Sequence, residues 1–355
     1  MKLQTKCFPP RALPYESLGS ATRMVAKIFE KSPFLAFLPN IEPTNDIIRR
    51  TLSNIPGIVF EDGKMSLKIS STSTKQALQK LDKAFNKQEP KLLEPYAIDA
   101  EFLEKYLQII KKFKSPHAFI NLLGPFSVSQ ILMKVAKEQM LTDKSFRKLF
   151  IQSVCVKALW AIDKIKKYCP TTVPVIILEE PSLGQLGSLK RENEEVTTEL
   201  VVSLLQRVIE TVKSAGAICA VQCMEKCDWQ VPINAGVDVI SFDAYNNPNN
   251  LNIIPEQITD FLAHGGMINW GIIPVATESM VKGLNIDYVR NRLIATMEGL
   301  ILAGVPDYLV YGSASVSVQG DMDKLPLIFA EKAIMLSTQL SKRIPTSIQK
   351  AADCQ

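Results

Sequence analysis

The feature that most constrains the fold is a regular alternation of short apolar runs with longer amphipathic segments, from about residue 117 to residue 341. The apolar runs are continuous, as is typical of strands buried on both faces of a parallel sheet. Strands that alternate with helices indicate parallel β-α units. The predicted strands cover 118–123, 173–178, 217–221, 237–242, 267–273 and 307–311, and the predicted helices cover 128–140, 145–167, 195–214, 256–264, 288–303 and 324–341.

The N-terminal third of the chain gives weaker signals. The clearest is Asp62-Gly63 between two apolar runs, because this dipeptide readily takes the positive φ of a tight turn and so predicts a β-hairpin. We expect the region from about 40 to 115 to be an insertion that contains this hairpin and several helices. The other predicted elements are weak strands over 13–20 and 34–38 and helices over 22–31, 44–53, 72–86 and 100–113.

The strand count favours one fold. Six clear strands and two weak ones make eight, the number that closes a (β/α)8 TIM barrel. We therefore expect an α/β TIM barrel that forms one domain over residues 1–355. The alternative, an open doubly wound sheet, commonly carries a Gly-rich phosphate turn after its first strand. The sequence contains no GxGxxG motif, so the barrel is favoured and no nucleotide cofactor is expected.

Composition limits the partners. The chain of 355 residues has a formal net charge of +5 with dispersed basic residues, a pattern that indicates solvated helix faces rather than a nucleic-acid surface. No apolar run approaches the roughly 20 residues that cross a bilayer, so no membrane partner is expected. The seven cysteines are irregularly spaced and no signal-peptide core precedes them. These features predict free thiols and a cytoplasmic location.

Chemically capable side chains follow several of the predicted strands. The run 173–178 is followed by Glu179-Glu180, the run 217–221 by Cys223 and Cys227, and the run 237–242 by Asp243. In barrels of parallel strands the chemistry lies at the C-terminal strand ends. These ends are therefore the predicted location of a site, although a barrel without a ligand also needs polar loops there.

Several motifs, in order along almost the whole chain, resemble a known family. They look like the barrel of cobalamin-independent methionine synthase, and most closely like its short single-barrel relatives grouped with uroporphyrinogen decarboxylase. That family fold is a (β/α)8 barrel, which agrees with the strand count. The motifs are SLGSATR (17–23), NIPGIVFEDGK (54–64), LLGPFSVSQIL (122–132), VIILEEPSLGQLGS (175–188), CDWQVPINAGVDVISFDAY (227–245) and GGMINWGIIPV (265–275).

The resemblance implies a zinc site. In methionine synthases zinc activates a thiol substrate, and the resulting thiolate accepts a methyl group; a coordinating thiol is deprotonated outright. Two ligands match, Cys223 and Asp243. The family histidine is replaced by Val221 or Gln222, and the last family cysteine falls near Val316. The inherited site is therefore incomplete.

The missing ligands have one local replacement. Cys227 follows Cys223 at a spacing found in zinc sites. We therefore expect Cys223, Asp243 and Cys227 to be the metal ligands if zinc binds. The alternative interpretation is that Cys223 is a small buried hydrophobe and Cys227 a free thiol.

The resemblance also suggests roles for other residues. Glu179 and Glu180 stand where relatives have an Asp-Glu-Pro sequence whose acidic residues hold the amino-acid substrate. We expect Glu179 to bind a substrate ammonium group and Glu180, together with Asp243, to be catalytic, since a buried carboxylate with a raised pKa can act as a general base. The remaining expected substrate-binding residues are Ser20, Arg23 and Trp270.

Two classes of function follow. The first is a methyltransferase that methylates a thiol such as homocysteine. Since the chain has no second barrel for folate, a corrinoid protein is the expected methyl donor. The second class is a catalytically inactive or repurposed barrel that binds a partner protein or a small acidic or amino-acid ligand. A metal-free decarboxylase-like lyase is a variant of the enzyme class, but it needs basic residues at the site, and the sequence places only Arg23 there.

Overall fold

The strands form a hairpin and a larger parallel sheet. The computed structural model describes residues 3–61, 64–68, 72–136 and 144–345. Within these ranges the protein is an α/β structure in which helices pack around six parallel strands. The strands are β1 (Ile58–Glu61), β2 (Lys64–Leu67), β3 (His117–Leu123), β4 (Val173–Glu179), β5 (Ile218–Cys223), β6 (Val239–Phe242), β7 (Met267–Ile273) and β8 (Ala314–Val318).

The parallel sheet contains β3 to β8 in sequential order, each strand paired with the next. Nearly every residue of these strands is buried, because helices cover the sheet. The register matches Glu179 with Gln222, Gln222 with Ser241, and Ser241 with Asn269. Side chains in register share a face of the sheet, so these four polar residues form one row near its carboxyl edge.

Most predicted helices are confirmed with small shifts at their ends. The long ones follow the strands of the sheet, as β-α units require. The helices are α1 (Leu18–Ile28), α2 (Ile47–Leu52), α3 (Thr72–Lys87), α4 (Pro90–Leu93), α5 (Leu103–Phe113), α6 (Pro125–Ala136), α7 (Lys144–Tyr168), α8 (Leu186–Glu192), α9 (Thr198–Ser214), α10 (Gln230–Asn234), α11 (Pro255–Ala263), α12 (Glu278–Lys282), α13 (Ile286–Leu302), α14 (Asp307–Gly312) and α15 (Leu327–Ser341).

Three isolated parallel bridges connect the N-terminal part of the chain to the sheet. One joins the segment near residue 7 to β8, one joins residue 12 to residue 37, and one joins residue 34 to β3. Backbone hydrogen bonds accompany them, including Phe8 N to Val316 O at 2.9 Å and Leu13 N to Phe37 O at 3.0 Å. Through these bridges the N-terminal part of the chain contacts β8 and β3, the two outer strands of the parallel sheet.

The predicted eighth strand is wrong. Residues 307–311 form α14, and the strand is Ala314–Val318. Short apolar runs are ambiguous between strand and helix, and here Pro306 precedes the first helical turn, where its missing amide hydrogen is not needed. The true strand alternates small apolar residues with serine. Its end brings Gln319 and Asp321, rather than Tyr311 to Ser315, to the carboxyl edge of the sheet.

The predicted first strand is also misplaced. Its bridges lie at Cys7 and Ala12, before the predicted start at residue 13, and α1 begins at Leu18. Ser17 caps that helix, accepting a hydrogen bond from Ser20 N at 3.2 Å. Pro9, Pro10 and Pro14 surround the bridges, and a proline cannot donate to a strand ladder, so this segment forms single bridges rather than a long strand.

The predicted hairpin is confirmed as the antiparallel pair β1 and β2. Its turn, Asp62-Gly63, lies outside the described residues, as does the part of the predicted helix 128–140 beyond residue 136. Among the residues that the structure covers, no helix is both long enough and apolar enough to cross a membrane.

Gly271 in the middle of β7 provides a test of sheet packing. A Cβ there would lie 2.6 Å from the Phe242 carbonyl oxygen of the neighbouring strand, and backbone in a central sheet cannot easily move. We expect Gly271→Ala to lower the free energy of unfolding by about 2 to 3 kcal/mol, measured by urea denaturation. Gly283→Ala is the control, since its Cβ meets nothing within 4 Å; equal stability of the two variants would contradict the prediction.

Candidate functional site

A small cavity lies at the carboxyl edge of the parallel sheet. Its volume is about 70 Å³. Asn121 of β3, Glu179 of β4 and Gln222 of β5 reach it from successive strands, and the N-terminal segment adds Arg11. Asp321, from the loop after β8, completes the charged lining. Polar groups from five parts of the chain thus meet at one point.

Arg11 is the centre of this cavity. Its guanidinium group forms ion pairs with Glu179 on one side and Asp321 on the other. The Asp321 contact uses two nitrogens, and the Arg11 Nε to Asp321 Oδ1 distance is 2.8 Å. Asn121 donates to the other Glu179 oxygen at 2.8 Å. Bidentate contact with a carboxylate is the geometry that guanidinium favours, so Arg11 is fixed between two acids.

Glu179 is almost completely buried. Burial raises the pKa of its carboxyl group above the usual range, while the charge of Arg11 and the hydrogen bond from Asn121 lower it. A buried carboxylate without a partner is very unfavourable, so Arg11 is what allows Glu179 to stay charged. In this structure Glu179 is therefore an acid paired with a basic neighbour, Arg11.

Glu180 points to the other side of the strand. It accepts hydrogen bonds from Phe126 N at 2.9 Å, Ser127 N at 2.8 Å and Ser127 Oγ at 2.6 Å. These groups belong to the first turn of α6, where backbone amides lack partners within the helix. A Cβ at Gly124 would lie 2.2 Å from Glu180 Oε1. Glu180 therefore anchors a helix, and it is not among the residues that line the cavity.

Asp243 follows β6 and is surrounded by amide donors. It accepts from Asn246 N at 2.9 Å, from Asn246 Nδ2 at 2.7 Å and from Gln319 Nε2 at 2.9 Å. Gln319 follows β8, so Asp243 connects the ends of two strands. These three amide donors hold the Asp243 carboxylate in place.

Cys223 and Cys227 contact each other. Gln222 lines the cavity, and Cys223, one residue further along the strand, points to the opposite face. The Cys223 thiol contacts the Glu225 carbonyl oxygen at 3.5 Å. Burial, and then the neighbouring Cys223, raise the pKa of the Cys227 thiol, which disfavours the thiolate that zinc requires.

The three expected ligands are not gathered into one group. Within the described ranges no group of three or more His, Cys, Asp or Glu side chains is arranged to hold a metal ion. Cys223 and Cys227 contact each other, whereas the oxygens of Asp243 accept hydrogen bonds from amide groups.

A hydrogen-bonded layer lies beneath the cavity. Asn269 of β7 donates to Ser241 Oγ and to Ser317 Oγ, each at 2.9 Å. Ser241 in turn donates to Gln222 Oε1 at 3.4 Å, and Ser315 donates to Asn269 Oδ1 at 3.3 Å. Gln222, one of the two residues that the resemblance aligns with a metal-binding histidine, is thus a member of a neutral network.

The other expected substrate-binding residues lie elsewhere. Trp270 is buried and packs on Phe242 with ring centroids 5.4 Å apart, on the face opposite to Asn269. Ser20 and Arg23 lie on α1, where Arg23 Nη2 donates to Ser20 Oγ at 3.0 Å. These two residues line a separate groove against α15. Of the expected site residues, only Glu179 reaches the cavity.

Sequence reasoning missed the residues that define the cavity. Arg11 and Asp321 were hidden because the first and eighth strands were misplaced by several residues. Asn121 lies inside a predicted apolar run, and a polar residue within such a run was the signal that could have identified it. Gln222 directly follows the predicted run 217–221. Gln319 is the residue directly after β8, so a correct prediction of the end of that strand would have identified it.

Comparison with models of known protein families gave no match, and comparison with curated proteins gave none either. The function is therefore inferred from the geometry of the strand ends and from the sequence resemblance.

The pH dependence of stability tests the environment of Glu180. Its burial raises the folded pKa to about 7, against about 4.3 in an unfolded chain. The folded state then binds more protons than the unfolded state between these values, so Glu180 makes the protein less stable as the pH rises from about 4 to about 7. We expect Glu180→Gln to reduce the loss of unfolding free energy between about pH 5 and pH 8 by roughly 1 to 3 kcal/mol.

Urea denaturation of both proteins at the two pH values measures this difference. The exposed Glu192→Gln is the control and should behave as the wild type. If Glu180→Gln shows the wild-type pH dependence, Glu180 does not have the raised pKa.

Proposed function

We propose that the six-stranded sheet is the larger part of a closed (β/α)8 barrel, with segments 7–13 and 34–38 as its first two strands. The three parallel bridges support this proposal, because they run from β8 to the N-terminal segment, from there to the 34–37 segment, and on to β3. This is the order that a ring needs. The cavity then lies at the end of the barrel where such folds bind ligands.

We further propose that the protein is a repurposed barrel that binds a small free amino acid at this cavity without a metal ion. The observation that carries the proposal is the ion pair between the partly buried Arg11 and the buried Glu179, with Asp321 on the other side of Arg11. The ligand carboxylate takes Arg11, and the ligand ammonium takes Glu179. Arg11 and Glu179 then each exchange the other for an oppositely charged group of the ligand.

Charge balance selects this class of ligand. A simple acid would bind Arg11 and leave Glu179 buried without a partner, and a simple amine would do the reverse. Breaking a buried ion pair by removing one partner typically loses about 3 to 5 kcal/mol. A zwitterion replaces both halves of the pair at once. The resemblance supports the same choice, since it assigns the position of Glu179 to ammonium binding.

The size of the cavity requires a rearrangement before binding. A volume of about 70 Å³ is below the roughly 300 Å³ at which ligand pockets begin. Arg11 and Asp321 both lie outside the regular strands, on segments that can shift without disrupting the sheet. We infer that Arg11 and Asp321 shift together, so that the ligand separates Arg11 from Glu179 and occupies the space that the guanidinium group fills.

Isothermal titration with three related compounds tests the ligand class. L-methionine carries both charges, N-acetyl-L-methionine lacks the ammonium, and L-methionine amide lacks the carboxylate. We expect the zwitterion to bind at least about tenfold more tightly than either of the others, since each loses a charge-assisted contact. Equal binding of all three, or of none, would contradict the proposal.

Two variants test whether methionine binds in the cavity. Arg11→Gln/Glu179→Gln removes both charges of the pair together and leaves only the partly exposed Asp321 without its partner, so it should abolish methionine binding while the protein stays folded by circular dichroism. Arg343→Gln removes an exposed charge from an ion pair elsewhere and should bind as the wild type. Binding retained by the double variant would place the ligand at another site.

Metal content distinguishes this proposal from a zinc-dependent thiol methyltransferase. We expect methionine binding to be unchanged by a chelator and by Cys223→Ala. One zinc per chain in protein purified without a metal-affinity tag, lost in Cys223→Ala, would overturn the metal-free proposal.

We also propose a cytoplasmic location. Support comes from the six cysteines of the described ranges, all of which are free thiols, as is usual in reducing compartments.

A further inference from the structure

A second concave site lies on the side of the protein between α1 and α15. Its volume is about 460 Å³, which is within the usual range of small-molecule pockets. It shares no residue with the cavity at the strand ends. The groove is lined by Tyr15, Ser20, Arg23, Met24, Lys27, Ile28, Leu327, Glu331, Ile334 and Met335.

The body of the groove is apolar. Met24 and Ile334 are buried at its base, and Ile28 is partly exposed beside them. Leu327 and Met335 of α15 remain 40% and 54% exposed. Exposed large apolar side chains around a concave surface indicate a binding site rather than ordinary surface, and methionine adapts well to flexible apolar ligands.

One wall of the groove is positively charged. Arg23 and Lys27 are one helical turn apart on α1 and both are exposed. Arg23 donates to Ser20 Oγ, but neither cation pairs with a carboxylate in the part of the chain that the structure describes. On α15, Glu331 accepts a hydrogen bond from Tyr15 Oη at 2.8 Å, so this acid is already engaged.

We propose that this groove binds a single amphiphilic anion, a medium-chain carboxylate, as a free monomer. The carboxylate contacts Arg23, Lys27 and the Ser20 hydroxyl. The alkyl chain lies on Met24, Ile28 and Ile334, under the exposed side chains of α15. Two unpaired cations beside an apolar floor match a ligand with one anionic end and one apolar end.

The charge distribution favours this ligand over other occupants. A membrane surface presents many headgroups to a convex or flat basic patch, whereas Arg23 and Lys27 border a concave groove. A second copy of the chain needs a large self-complementary surface, and here the two cations of α1 face a single acid that Tyr15 already binds.

Isothermal titration with dodecanoate below its micelle concentration tests the proposal. Dodecyltrimethylammonium, with the same chain and the opposite charge, is the matched control ligand and should bind at least about tenfold more weakly. The double variant Arg23→Gln/Lys27→Gln should weaken dodecanoate binding by about tenfold. Met335→Glu, which places an acid over the apolar floor, should abolish it.

Leu302→Glu is the control for Met335→Glu, because Leu302 is an exposed apolar residue on α13 outside the groove. Equal affinity for the two ligands, or dodecanoate binding unchanged in both groove variants, would overturn the proposal. Binding only to vesicles of phosphatidylglycerol would point instead to a membrane surface. A dimer that Met335→Glu dissociates, seen by sedimentation without ligand, would assign the groove to a second copy.

Discussion

Successive side chains of a β-strand point to opposite faces, and this constraint determines what each strand end can do. At the end of β4 it sends Glu179 into the cavity, where Arg11 pairs with it, and sends Glu180 to the first turn of α6. At the end of β5 it sends Gln222 to the cavity and Cys223 away from it. Two neighbouring residues of similar chemistry therefore have unrelated roles, one in the cavity and one in holding the helix layer.

The cavity is stabilised by groups that would also bind a ligand. Asp321 and Glu179 compete for one guanidinium, and Asn121 supports the buried carboxylate from below. Since every charge already has a partner, a ligand gains only the difference between its own contacts and those it replaces. Such a site selects strongly on charge pattern and weakly on size, because an imperfect exchange leaves an unpaired charge in the interior.

The sequence predicted long periodic elements well and short ones poorly. β3 to β7 and the helices between them followed from apolar periodicity, because burial on both faces leaves a strong pattern. The position of the eighth strand was predicted wrongly because Ala314–Val318 is short and nearly half serine. The more apolar run before it is helical. That error, together with the misplaced first strand, concealed Asp321 and Arg11. Of the site itself, Glu179 was predicted from the sequence, but its partner was beyond reach because pairing across 168 residues leaves no local signal.

The bridge between Cys7 and Val316 has a consequence for how the chain is made. Arg11 and Asp321 are 310 positions apart, so the cavity cannot form until residue 321 has been synthesised. Contacts this distant slow folding, because the loop must close before they contribute. During translation the early segment, with its apolar Phe8 and Leu13, lacks its final partners. Exposed apolar surface of this kind makes an unfinished chain prone to associate with other chains.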